Sequence, residues 1–199
     1  ADCAIIWGSG IISRNDRYAD PAEVLAVRGP LTREHMLGRG LSCPERYGDP
    51  GVLLPLVFDP PVARAHAIGL VPHYFDYANV LRWVPDDVFV IDVTKPVEDV
   101  VCDIMSCATV FSSSLHGLIL AHAYGIPSAW CEPEEKLIGD DTKFRDFFAS
   151  LGVEVAPFAM QELADSTTLG QCLAEAFVAD VRPLQRALIE TAPFLGADD

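Results

Sequence analysis

From residue 66 onward the chain alternates short apolar runs with amphipathic ones, and this rhythm limits the fold more than any other feature. The stretches "HAIGLVPH" (66–73), "VFVIDV" (88–93), "TVFSS" (109–113) and "IPSAWCE" (126–132) read as strands. Between and after them, "DYANVLRWV" (76–84), "VEDVVCDIMSCA" (97–108), "LHGLILAHAYG" (115–125) and "TKFRDFFASLG" (142–152) read as helices. Strands that are apolar throughout are covered on both faces, and short loops between alternating strands and helices build parallel βαβ units. The expected class is α/β, with Rossmann-type parallel sheets and helices on both faces.

The first third is less regular. "CAIIWGSGII" is a buried-strand pattern ending in Gly-x-Gly, and "AEVLAVRGPLTREHMLGRGL" holds an apolar stretch, a Gly-Pro break and a helix. Thr32 is the expected cap of that helix, with Gly38 and Gly40 marking its end. Asp49-Pro50 is fit to begin a short helical segment. The proline-rich "LVFDPPVARA" (56–65) reads as a linker, which divides the chain into a short N-terminal half, residues 1–63, and a C-terminal half, residues 64–199. The tail from Leu169 to about Leu195 is expected to be helical, interrupted or restarted at Pro183.

Composition narrows the partners. With 14 Lys plus Arg against 29 Asp plus Glu the net charge is −15, and the sequence holds no run of basic residues. Such a surface repels nucleic acid and anionic lipid, so a small-molecule or neutral partner is expected, and an anionic ligand must be held by a few cations in a cleft. The acid clusters Glu132, Glu134, Glu135 and Asp140, Asp141 read as solvated loop. Half the residues are hydrophobic, yet no apolar run is long enough for a membrane span, and "ADCAIIWGSG" lacks the basic start of a secretory signal. The six cysteines, Cys3, Cys43, Cys102, Cys107, Cys131 and Cys172, form no C-x-x-C pair and no ligand cluster with histidine. A reducing, cytoplasmic setting is therefore expected, with no metal site.

In a parallel α/β sheet, chemistry gathers at the carboxyl ends of the strands. "SSSLHG" (112–117) falls in such a loop: Ser113 or Ser114 can cap the next helix, and Gly117 allows close approach of the backbone. The N–H groups there make an anion seat with His116 beside it. His73 ends a strand at the same edge, and two imidazoles there can carry protons in either direction. His122 reads as a packed core or interface residue. The plain reading of the Ser-rich turn is ordinary capping.

Taken in order, "AVRGPLT", "YGDPGVLLP", "GLVPHYFD", "FSSSLHGLILAHAYGIPSAW" and "KFRDFFASLG" resemble the polysaccharide pyruvyl transferase family, and most of all its bacterial exopolysaccharide ketal-pyruvate branch. The resemblance implies a GT-B-like fold and transfer of the pyruvyl group of phosphoenolpyruvate to two hydroxyls of a sugar or oligosaccharide acceptor, with no other cofactor. It implies His116 as proton carrier and Arg28 as the fork for phosphate or carboxylate. Ser113, Ser114, Leu115 and Gly117 would build the anion seat, Lys143 would be a second cation, and His73 would orient the sugar or donate to phosphate. Some members carry arginine where this chain has Ser114. The family also leads one to expect on the order of a hundred further residues before "IIWGSG", as most of a first Rossmann half. By that likeness the first half would be shortened here, with a wall expected from another subunit. The rival readings are a nucleotide-sugar glycosyltransferase, and a shortened non-catalytic homologue that binds a sugar phosphate or a partner. "WGSGII" offers Gly8 and Gly10 but no third glycine for a dinucleotide.

Overall fold

A computed structural model describes residues 4–133 and 140–194, so Cys3, Glu134 and Glu135 lie outside the described residues. The chain forms two compact units that interleave along the sequence. Within the described residues, the smaller takes 4–53, 140–155 and 180–194, and the larger takes 54–133 and 156–179. These units cut the chain differently from a single division at residue 63. The helix of "TKFRDFFASLG" and the last helix both join the N-terminal segment.

The larger unit is a five-stranded parallel sheet. Its strands are β3 (His66–Val71), β4 (Val88–Val90), β5 (Cys107–Ser112), β6 (Ser128–Glu132) and β7 (Phe158–Ala159), in the order β4-β3-β5-β6-β7. Counted within the unit this is 2-1-3-4-5, a common doubly wound order. Successive residues of a strand face opposite sides, and each side here is apolar. Ile68, Leu70, Phe111, Ala129 and Cys131 pack on one side against Val80, Met160, Leu163 and Cys172. Those partners come from α2 (Tyr77–Val80), a 3-10 turn (Met160–Ala164) and α6 (Ser166–Glu175). Val71 and Val110 point the other way, onto Val100 and Ile104 of α3 (Val97–Met105) and Ala121 of α4 (Leu115–Ala123), and Cys107 at the start of β5 joins that cluster. The mixed α/β class with parallel strands and helices on both sides is therefore observed.

The smaller unit pairs β1 (Ile5–Ser9) with β2 (Glu23–Val27) in parallel. It adds α1 (Pro30–Gly38), α5 (Thr142–Ser150) and α7 (Arg182–Glu190). Val27, Met36 and Cys43 form its core with Ile6, Tyr18, Val24, Leu41 and Tyr47. Of β1 only Gly8 is buried, because a two-stranded sheet covers little of the strand that the apolar pattern marks as interior. Gly8 has φ +77°, and a Cβ there would fall 2.5 Å from Pro50 Cδ. Gly10 leaves room in the same way for the Arg28 guanidinium. Both glycines of "WGSG" thus have tertiary reasons of their own.

Three local expectations change. Thr32 does not cap α1: the N-cap is Gly29 and Pro30 begins the helix, since proline lacks the N–H that the first turn leaves unpaired. The tail leaves the helix earlier than expected, while the restart expected at Pro183 is observed. α6 ends at Glu175, Phe177 pairs with Ser128 in an antiparallel bridge, and α7 restarts with Pro183 in its first turn. "DYANVLRWV" yields only the single helical turn of α2. The 3-10 turn Pro50–Leu56 starts where Asp49-Pro50 predicts, with the Gly51 N–H donating to Asp49 Oδ1 at 3.0 Å.

Candidate active site

The strand order reverses between β3 and β5. The chain leaves β3 for β4 on one side and leaves β5 for β6 on the other, so no connection crosses the crevice outside their carboxyl ends. His73 follows β3 by two residues, and the serines close β5. The buried Ser113 ties the two ends together: its Oγ accepts the His73 N–H at 2.9 Å, and its own N–H donates to Val71 O at 3.1 Å. Accepting that bond takes one lone pair of the Ser113 hydroxyl, one of the two expected to cap the helix, and leaves it a proton to donate.

Ser112 shapes the turn. Its Oγ accepts the Ser114 N–H at 3.0 Å and lies 2.8 Å from Ser114 O and 3.1 Å from Val71 O, either of which can take its proton. Ser114 is the N-cap of α4 in extended conformation, yet no side chain among the described residues caps that helix. The first-turn N–H groups of a helix have no partners within it, so the uncapped N-terminus of α4 offers donors to an anion. His116, in the same turn, is exposed, whereas Leu115 and Gly117 are buried. Gly117 lets α4 lie close to the sheet: a Cβ there would press on Val71 and into the Ser112 hydroxyl.

Arg28 and Lys143 belong to the smaller unit. Arg28 is buried, donating from Nε to Asp146 Oδ2 at 3.2 Å and from Nη2 to Ile11 O. Burial lowers its pKa, while Asp146 and then Asp49 pull it back up. Lys143 is half-buried, and its pKa is lowered first by burial and then by the charge of Arg28, with Asp141 opposing. The two candidate cations of this unit are thus electrostatic neighbours.

Asp146 is not among the candidate residues that the sequence marks. It is fully buried on α5, and its Oδ1 accepts the N–H groups of Leu31 at 2.8 Å and Thr32 at 3.0 Å. Its Oδ2 accepts Thr32 Oγ1 at 2.6 Å together with Arg28 Nε. A carboxylate from a distant helix therefore caps α1, where its charge suits the helix dipole. Two signals were readable: "RGP" opens a helix with no capping side chain, and "FRDFF" sets an acid among phenylalanines.

The family model for polysaccharide pyruvyl transferase matches residues 3–135. The chain belongs to this family. The matched span holds Arg28, His73 and all of "SSSLHG", and it ends before Lys143 and Asp146. An uncharacterized protein of Acanthamoeba polyphaga mimivirus is 36% identical over 159 residues. That alignment takes in 75% of this chain and 55% of the viral protein, so the chain spans about half the length of the relative it matches. No solved structure matches. The family is, by its description, one of transferases. Among the described residues no helix is long and apolar enough to cross a membrane, and no group of three or more His, Cys, Asp or Glu is placed to hold a metal ion.

Proposed function

We propose that the protein transfers the pyruvyl group of phosphoenolpyruvate to two hydroxyls of an exopolysaccharide sugar or its lipid-linked precursor, releasing phosphate and leaving a cyclic ketal. The observation that carries this reading is the family match over a loop that ends β5 at the switch point, with an uncapped helix N-terminus and an exposed histidine. The chemistry fits those parts. Protonation of the donor's methylene carbon makes C2 oxocarbenium-like; one sugar hydroxyl adds there, phosphate leaves, and the second hydroxyl closes the ketal. Of the two hydroxyl protons, one ends on the new methyl group and one on phosphate. A single imidazole can deliver the first proton and collect another, and His116 is proposed for that work.

Ser113, Ser114, Leu115 and Gly117 are proposed as the anion seat, through the α4 N-terminus and its hydroxyls, and His73 as the group that orients the sugar or donates to phosphate. Of the two cations expected in the smaller unit, the half-buried Lys143 is the one proposed for anion binding, whereas Arg28 is buried and spends its charge on Asp146. A GT-B-like architecture and a cytoplasmic location belong to the same proposal. The location draws support from the five described cysteines, all of which are free thiols.

Calorimetric titration with phosphoenolpyruvate, with UDP-glucose as comparison, tests the donor. Saturable binding of phosphoenolpyruvate alone is expected, and no heat at millimolar donor would overturn the reading. Phosphate release from phosphoenolpyruvate in the presence of glycoside acceptors is expected to vanish in His116→Ala while the melting temperature holds. Near-normal release would remove His116 from the mechanism.

A further inference from the structure

We infer that Tyr74 and Phe75 form the platform on which the acceptor sugar stacks, an inference that rests on the pyruvyl-transfer reading. His73–Asp76 is a tight turn closed by the Asp76 N–H donating to His73 O at 2.8 Å. The central positions of such turns ordinarily carry Gly, Asn, Asp, Pro or Ser. Here they carry two aromatic rings, 52% and 65% exposed.

The rings are held in place. Their centroids lie 4.0 Å apart, and the His73 ring sits 4.5 Å from Tyr74 and 5.4 Å from Phe75. The turn is anchored at one end by His73 N–H to Ser113 Oγ, and at the other by the buried Asp76, which leads into α2. Among the described residues the only other exposed large aromatic is Phe194, which packs edge-on against Trp7. The pair therefore follows the carboxyl end of β3, next to His73, whose N–H is bonded to the serine that immediately precedes the α4 N-cap.

Charge decides which substrate belongs there. An aromatic face carries partial negative charge, so it disfavours the carboxylate and phosphate of the donor. The C–H face of a neutral pyranose meets no such penalty and gains apolar contact, as aromatic linings do in small-molecule sites. The occupant is accordingly a neutral hexopyranose ring of the acceptor.

The test measures two affinities on one protein. Methyl β-D-galactopyranoside, methyl β-D-glucopyranoside and methyl β-D-mannopyranoside are titrated by saturation-transfer NMR, and phosphoenolpyruvate by calorimetry. At least one glycoside is expected to bind, and the Tyr74→Ala/Phe75→Ala double variant to weaken it about tenfold or more. Donor affinity and melting temperature stay unchanged, and Tyr74→Phe or Phe75→Tyr keeps glycoside binding. Unchanged glycoside affinity in the double variant, or no binding of any of the three to the wild type at millimolar concentration, overturns the platform. Loss of donor binding to the wild type would instead refute pyruvyl transfer, and it is read by its own titration.

Discussion

Replacing His122 by asparagine removes one titration from the larger unit and retains a hydrogen-bond acceptor. His122 is buried in α4, where its Nδ1 accepts the Ala179 N–H at 3.2 Å and its ring lies 5.1 Å from that of Phe177. An Nδ1 that accepts cannot also carry a proton, so the folded state holds the neutral ring. Burial pushes its pKa down from 6.5 to about 4. In the unfolded chain the ring takes up a proton near 6.5, so between that pH and about 4 the unfolded state binds more protons and stability falls as pH falls. Above 6.5 both states are neutral and the group costs nothing. Integrating over that window, the wild type loses about 2 kcal/mol by pH 5 and about 3 kcal/mol by pH 4 that a non-titrating side chain would not lose. Carboxylates titrate in the same range, so the assay is a difference: urea unfolding of wild type and His122→Asn at pH 7, 6 and 5. It is read by tryptophan fluorescence, with the buried Trp130 as reporter in the same unit. The wild-type curve should drop relative to the variant by about 2 kcal/mol between pH 7 and pH 5. Parallel curves would refute the neutral buried imidazole.

Two further outcomes concern the smaller unit. Asp146→Ala leaves the buried Arg28 without its carboxylate and two first-turn N–H groups of α1 without an acceptor. A loss of about 3–5 kcal/mol in urea unfolding is expected, and a loss below about 1 kcal/mol would show that the network is dispensable. Gly29→Ala places a Cβ inside contact distance of the Asp146 carbonyl oxygen, a backbone atom that a rotamer change cannot move aside. It should lower stability by about 1–3 kcal/mol or more, seen as a reduced melting temperature, and an unchanged melting temperature would mean that α1 and α5 separate freely.

The larger unit was legible because its apolar periodicity is local. β3, β4, β6, α3 and α4 fall inside the runs of residues that predict them, whereas β5 starts at Cys107, two residues before "TVFSS" and inside the run that reads as helix. What stayed hidden depends on residues far apart in sequence. Nothing near Gly10 says that it makes room for Arg28, and nothing near Thr32 says that an acid 114 residues away takes its N–H. The grouping of α5 and α7 with the N-terminal segment was unreadable for the same reason, since periodicity reports which face of a helix is buried but not what it packs on. The placing of His73 and Ser113 at one sheet edge was readable from strand ends, whereas the hydrogen bond between them was not.

Two sequence motifs with similar grammar show what decides between a packing device and a binding loop. "VRGP" and "SSLHG" both carry the chain from a strand into a helix N-terminus. At α1 the first-turn donors are spent inside the fold, because the Asp146 carboxylate accepts two of them and its charge is balanced by Arg28. At α4 no side chain among the described residues takes that place. Ser112 and Ser113 turn their hydroxyls back onto the ends of β3 and β5, so the serines stiffen the loop and leave the helix uncapped. A helix N-terminus attracts an anion only when the fold has not already supplied one, and of these two α4 is the one that meets the condition.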